Sequence, residues 1–199
     1  MIRNRIGIIV VGLFTVGFYS YKHYQLSYPS YFPQPYYDTT KNPLTEDVIE
    51  LGRMLFYDQQ LSANSTQSCT SCHLQAYAFN DTAQFSRGIR GFKGTRNAMS
   101  VFNTAWHSNG FFWDGRSNLL RHQALLPIQD PLEMDETLEN VIAKLKQDPK
   151  YSIPFIKAFG NNSININNVS LALEQFMNSI VSNQSKYDMY LDGQVNLSD

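Results

Sequence analysis

The sequence predicts an all-α domain with long loops, preceded by an N-terminal membrane anchor or signal helix. Three observations predict this. Apolar residues recur near the 3.6-residue period in several separate segments. No segment carries a β-hairpin signal of note, and no internal repeat is present. Residues 57–112 show no sustained period, and Gly88, Gly91, Gly94 and Gly110 punctuate them, so the middle of the chain is loop-rich. Long loops in a compact domain are usually functional or wrapped around something.

Taken in order, the first element is an uncharged apolar run, Ile6 to Phe18, with Arg3 and Arg5 before it and Lys22 after it. A basic flank and a short apolar stretch read as a signal peptide or signal anchor over residues 1–22. No small-x-small cleavage site follows, which favours an uncleaved anchor. Arg3 and Arg5 on the inner side put the rest of the chain on the outer, periplasmic side. Residues 23–43 form a linker. Within it, Pro29, Pro33, Pro35 and Pro43 alternate with Tyr28, Tyr31, Phe32, Tyr36 and Tyr37. Prolines at that density favour extended chain, so the tract reads as a spacer.

The domain itself spans residues 44–199. Thr45 caps a first helix, with Glu46 and Asp47 in its opening turn and Val48, Ile49, Leu51, Met54, Leu55 and Phe56 along an apolar stripe. A second helix is expected over Leu119–Leu126, stopping before Pro127. A third is expected over Glu136–Gln147, closed by Pro149, and a fourth over Asn168–Ser182.

Composition excludes some functions. Lys and Arg total 16 against 17 Asp and Glu, a net charge of −1, so no basic surface is available for nucleic acid. Two cysteines cannot make a disulfide scaffold or a four-cysteine zinc site.

Their spacing carries the chemistry. Ser68–His73 reads SCTSCH, and C-x-x-C-H is the attachment signature of c-type haem. Cys69 and Cys72 would form thioethers to the haem vinyl groups, and His73 would bind the iron from the proximal side. A disulfide oxidoreductase also uses C-x-x-C, but it needs a strand before the motif. Here the Ser/Thr/Asn-rich loop LSANSTQ precedes it. Zinc would need further ligands, for which His107 or His122 are candidates.

With one covalent haem c, the distal side of the iron decides function. A methionine there makes an electron carrier, and an open site permits peroxide chemistry. Met99 and Met134 lie in loops and are the candidate ligands. Met54 and Met177 sit on helical stripes and read as core, and Met189 is the remaining candidate. Peroxide cleavage needs an acid–base group above the iron. Glu133, in the apolar segment PLEM, suits that role, since burial there raises its pKa. It also reads as a carboxylate preceding the Asp135–Glu136 turn.

These residues resemble a family. LGRMLFYDQQLSANSTQSCTSCH, SRGIRGFKGTRNAMSVFN, FFWDGR and QALLPIQDPLEM occur in this order. They are similar to the N-terminal, peroxidatic haem domain of the bacterial di-haem cytochrome c peroxidase and MauG family, from about Asn42 onward. The resemblance implies a cytochrome c-like helical haem domain that reduces hydrogen peroxide, with electrons from a small donor protein such as a cytochrome or from a partner haem. Carried over residue by residue, it implies Cys69, Cys72 and His73 as haem attachment, Glu133 as distal acid–base group and Gln123 as its companion. It also implies Trp113 as an electron route between two haems, and Asn97 as a contributor to an inter-domain calcium site. Trp113 equally suits a core position, and Asp114 and Arg116 suit a charge pair that fixes the turn. The sequence departs from the family twice. Ile89 stands where the family often has a histidine capping the resting iron, which implies an open site. A second C-x-x-C-H does not occur in the 199 residues. The expectation is therefore a fragment of a di-haem protein or a one-haem variant. The alternative function is a membrane-tethered monohaem electron-transfer cytochrome.

Overall fold

The computed structural model describes residues 22–197. The apolar run read as an anchor lies outside them. Among the described residues no helix is long and apolar enough to cross a membrane. All regular elements among them are helical, with four isolated β-bridges and no strand.

Seven α-helices form: α1 Glu46–Phe56, α2 Leu120–Gln123, α3 Leu126–Gln129, α4 Leu138–Gln147, α5 Ser152–Phe159, α6 Ile166–Ser179 and α7 Lys186–Leu191. The longer ones start where side chains satisfy the orphan amides of a first turn. Thr45 accepts from Val48, Thr137 from Asn140 and Asn165 from Asn168.

The scaffold is α1 packed on α6, with α5 against α1. Val48, Leu51, Leu55 and Phe56 face Val169, Leu173 and Phe176 across a core closed by Val141, Leu145 and Phe155. Gly52 reads from sequence as a small cost inside α1, and the packing gives its reason. A Cβ there would stand 2.0 Å from the Ala172 carbonyl oxygen, so only glycine lets the two helices approach this closely.

The second expected helix is corrected to two short ones. Pro127 does not stop a helix but sits in the first turn of α3, where a missing N–H goes unnoticed. The same chemistry explains α5, which the sequence reading missed. Pro149 opens a 3-10 turn, Pro149–Tyr151, that leads directly into α5, and Pro154 falls in the first turn of α5.

The Pro/Tyr-rich tract has no regular structure, yet it is laid against the domain. Trp106 receives Tyr28 and Phe32 edge-on at centroid distances of 5.1 and 5.3 Å and donates to the Pro33 carbonyl at 2.7 Å. Tyr31 bonds Asp188 on α7 at 3.1 Å. Near the end of the tract, Asn42 is buried against Glu174 and Gln175 of α6.

Candidate haem site

The loop-rich middle of the chain and the short helices α2 and α3 enclose the site. Cys69 opens a 3-10 turn, and its carbonyl accepts from Cys72 at 3.2 Å and from His73 at 2.9 Å. This turn brings Cys69, Cys72 and His73 to one apolar cavity of about 80 Å³, walled by Phe56, Val101, Leu120, Met134, Leu173 and Met177. The cavity adjoins a cleft of about 400 Å³ that reaches the surface. Cys72, His73, Met99, Gln123, Pro127 and Glu133 line both.

His73 Nδ1 lies 3.1 Å from the Phe79 carbonyl oxygen. A carbonyl only accepts, so Nδ1 carries the proton and Nε2 is left with its lone pair, the state a metal ligand needs. Burial lowers the His73 pKa against the opposing carbonyls of Phe79 and Met99, which keeps the ring neutral. Burial also pushes the Cys69 thiol up to about 12 and raises Cys72. A disulfide-exchange site needs the reverse, a thiolate at neutral pH. Of the zinc-ligand candidates, His107 lines the apolar cavity and stacks on Phe111 at 5.8 Å, while His122 is exposed on α2. No group of three or more His, Cys, Asp or Glu that could hold a metal ion occurs among the described residues. Two free thiols and an imidazole converging on apolar walls fit a covalently attached haem.

Glu133 and Gln123, predicted as partners, do line the same space. Burial raises the Glu133 carboxyl above the usual glutamate range, Asp130 adds to the rise, and Arg116 opposes it. The backbone holds Glu133 on both sides: its N–H donates to Asp130 at 2.9 Å and its carbonyl accepts from Ile89 at 2.8 Å. Ile89, the residue that the sequence resemblance aligns with the family's capping histidine, therefore sits beside Glu133 by its backbone. Gly88 makes this approach possible. A Cβ on it would lie 2.1 Å from the Leu132 carbonyl oxygen and 2.6 Å from that of Glu133. Gly88→Ala is expected to cost about 1–3 kcal/mol in urea denaturation, the usual range for overpacking, because backbone has to move. Sequence reading took Gly88 only as a loop breaker, and Pro127 only as a helix stop, though both line the cleft.

Trp113 is not core. It is 63% exposed at the cleft, and its indole N–H donates to the Asn97 carbonyl at 2.9 Å. Asn97 is exposed and spends its amide N–H on the Gln84 carbonyl at 2.7 Å. Asp114 and Arg116 do form the turn-fixing pair, at 3.0 and 3.1 Å, and Arg96 joins Asp114 at 3.1 Å. Among the methionines, Met99 lines both spaces, Met134 and Met177 are buried in the apolar wall, Met54 packs on the core, and Met189 is exposed on α7.

Residues 46–196 match the model of the family described as di-haem cytochrome c peroxidase. The chain belongs to that family. It is 36% identical over 154 residues to cytochrome c551 peroxidase of Nitrosomonas europaea, a match covering 77% of this chain and 46% of that protein. It is 33% identical over 165 residues to methylamine utilization protein MauG of Methylophilus methylotrophus, covering 83% of this chain and 48% of that protein. The chain thus spans about half the length of the curated relatives it matches. Among solved structures, a MauG-like protein associated with microbial copper homeostasis superposes with a TM-score of 0.82 at 35% identity, covering 88% of this chain and 52% of that one. The diheme peroxidase BthA from Burkholderia thailandensis superposes with a TM-score of 0.72 at 23% identity, which bears on the fold alone. Family membership supports haem c as the cofactor class.

Proposed function

We propose that the chain is the peroxidatic haem domain of a periplasmic cytochrome c peroxidase-like oxidoreductase. The observation that carries this reading is the convergence of Cys69, Cys72 and His73 with Glu133 and Gln123 on one continuous cavity. Hydrogen peroxide takes up two electrons and two protons to give two molecules of water. The electrons come from a small donor protein or from a haem in a second domain. Haem held here would supply the redox-active iron that this two-electron reduction needs.

The chain's own residues do the rest. Cys69 and Cys72 would hold the porphyrin by thioether bonds, and His73 would present Nε2 to the iron while the Phe79 carbonyl fixes its ring. The Glu133 carboxylate takes a proton from the inner peroxide oxygen and returns it to the outer one, so that water can leave. The Gln123 amide orients peroxide beside it by hydrogen bonding. Apolar walls exclude water from the deep side. Trp113 at the cleft mouth is the electron route toward a partner haem. Asn97 is held as a contributor to an inter-domain calcium site.

A pH profile follows from the raised Glu133 pKa. The step needs the carboxylate first, so its rate is expected to climb with pH, with a midpoint above the ordinary glutamate value of about 4.3. Stopped-flow traces across pH measure this, and the limb should vanish in Glu133→Gln. Stability should run the other way. The folded protein binds the Glu133 proton more tightly than the unfolded chain, so stability falls as pH rises from the unfolded to the folded pKa. Glu133→Gln should remove that decline, read as the difference between urea midpoints above and below the window.

A further inference from the structure

Lys144 lies outside the cavity, yet its ammonium joins two chain segments that each lead into a wall of it. From the last turn of α4, Nζ reaches the backbone carbonyls of Gln60, Ser62 and Ala63 at 3.2, 2.8 and 3.4 Å, and Glu136 Oε2 at 2.5 Å. An ammonium has three protons, so four acceptors leave none of them free. Glu136 is buried, with a side-chain exposure of 5%. It also accepts from Asn140 and from the Thr137 amide, and its own N–H donates to Ile128 at 2.8 Å.

Each side of this knot leads to the site. On one side, the buried hydroxyl of Ser62 accepts from the amides of Thr66 and Gln67, and the chain runs on through Ser68 to Cys69. On the other, Glu136 follows Glu133 by three residues, and Met134 between them forms part of the apolar wall. One direct backbone bond ties the first segment to a wall residue, from the Ala63 amide to the Met134 carbonyl at 3.0 Å. Lys144 is the only charge among these contacts that touches both segments.

Resting on the reading above, we propose that Lys144 is a positioning residue: with Glu136 it fixes the distance between the loop carrying the attachment thiols and the loop carrying Glu133. It touches neither cofactor nor peroxide. It acts by holding one wall of the site against the other.

The test uses the full matured chain and two variants. Lys144→Met keeps the stem and removes the ammonium. The double variant Lys144→Met with Glu136→Leu also removes the stranded carboxylate, since an apolar pair can replace a buried ion pair with little loss of stability. Amide hydrogen exchange gives a readout that does not need the cofactor to turn over. In both variants, exchange at Ala63 and at residues 133–136 should quicken together by about 10-fold or more, as local opening at a loosened contact does. The double variant should regain most of the thermal stability lost in Lys144→Met without regaining that protection. With haem present, cyanide binding to the ferric protein and the pH midpoint of the peroxide step should both shift in the double variant. Unchanged exchange at one wall, or recovery of protection along with stability, would overturn the proposal and leave Lys144 a purely structural residue. Parent protein that carries no haem would count against the functional reading, while the exchange result would still decide the role of Lys144.

Discussion

Glu133→Gln is expected to slow the peroxide step by about 10²- to 10⁴-fold, the usual contribution of a positioned acid–base group. Glutamine matches glutamate in shape and keeps the backbone bonds to Asp130 and Ile89, so the loop should stand. What disappears is the proton carrier. Stopped-flow mixing of peroxide with fully matured protein measures the loss, with the haem absorbance of the resting protein unchanged as a control for folding. Equal rates in parent and variant would remove Glu133 from the mechanism.

Much of this site was legible in the sequence, because local rules carried it. Cys69, Cys72 and His73 lie within one turn, and a turn fixes their relation whatever the rest of the fold does. Thr45 and the stripe after it predicted α1 for the same reason: cap and period are both local. The reading failed where proline had two meanings. Pro127 and Pro149 can end one helix or open the next, and only the neighbouring packing decides which. It also failed where two distant segments meet. Gly52 against Ala172 and Gly88 against Leu132 are close approaches of backbone, and a lone sequence contains nothing that names the partner. The Pro/Tyr-rich tract illustrates the same limit. Its composition forbids helix and strand, but its docking on Trp106 depends on a ring contributed from far along the chain. Glu133 and Gln123 fall between these cases. The apolar PLEM setting suggested Glu133 and the family resemblance supplied Gln123, and the chain from α2 to the turn after α3 had to bring both to one cavity.

The second large effect concerns the thiols. Replacing both Cys69 and Cys72 by alanine, in cells able to mature c-type cytochromes, should yield protein without covalently held pigment. The loss should reach stability as well as colour. Phe56, Leu120, Met134 and Leu173 wall a space too large for them to fill, and without a porphyrin against them that apolar surface faces water or collapses. A fall in melting temperature of about 10 °C is expected, the shift that a loss of roughly 3–5 kcal/mol produces in a domain of this size. Calorimetry on parent and double variant measures it. A variant that melts with the parent would mean that the cavity closes on its own and that no porphyrin supports the surrounding loops.

The most direct measurement is made on the unmodified chain. Protein matured in a c-type-competent host is denatured, extracted with acidified acetone, and its Soret absorbance compared before and after. Thioether bonds from Cys69 and Cys72 predict that the absorbance stays with the polypeptide. Pigment that leaves with the solvent, or protein that never acquires any, would contradict the account at its root.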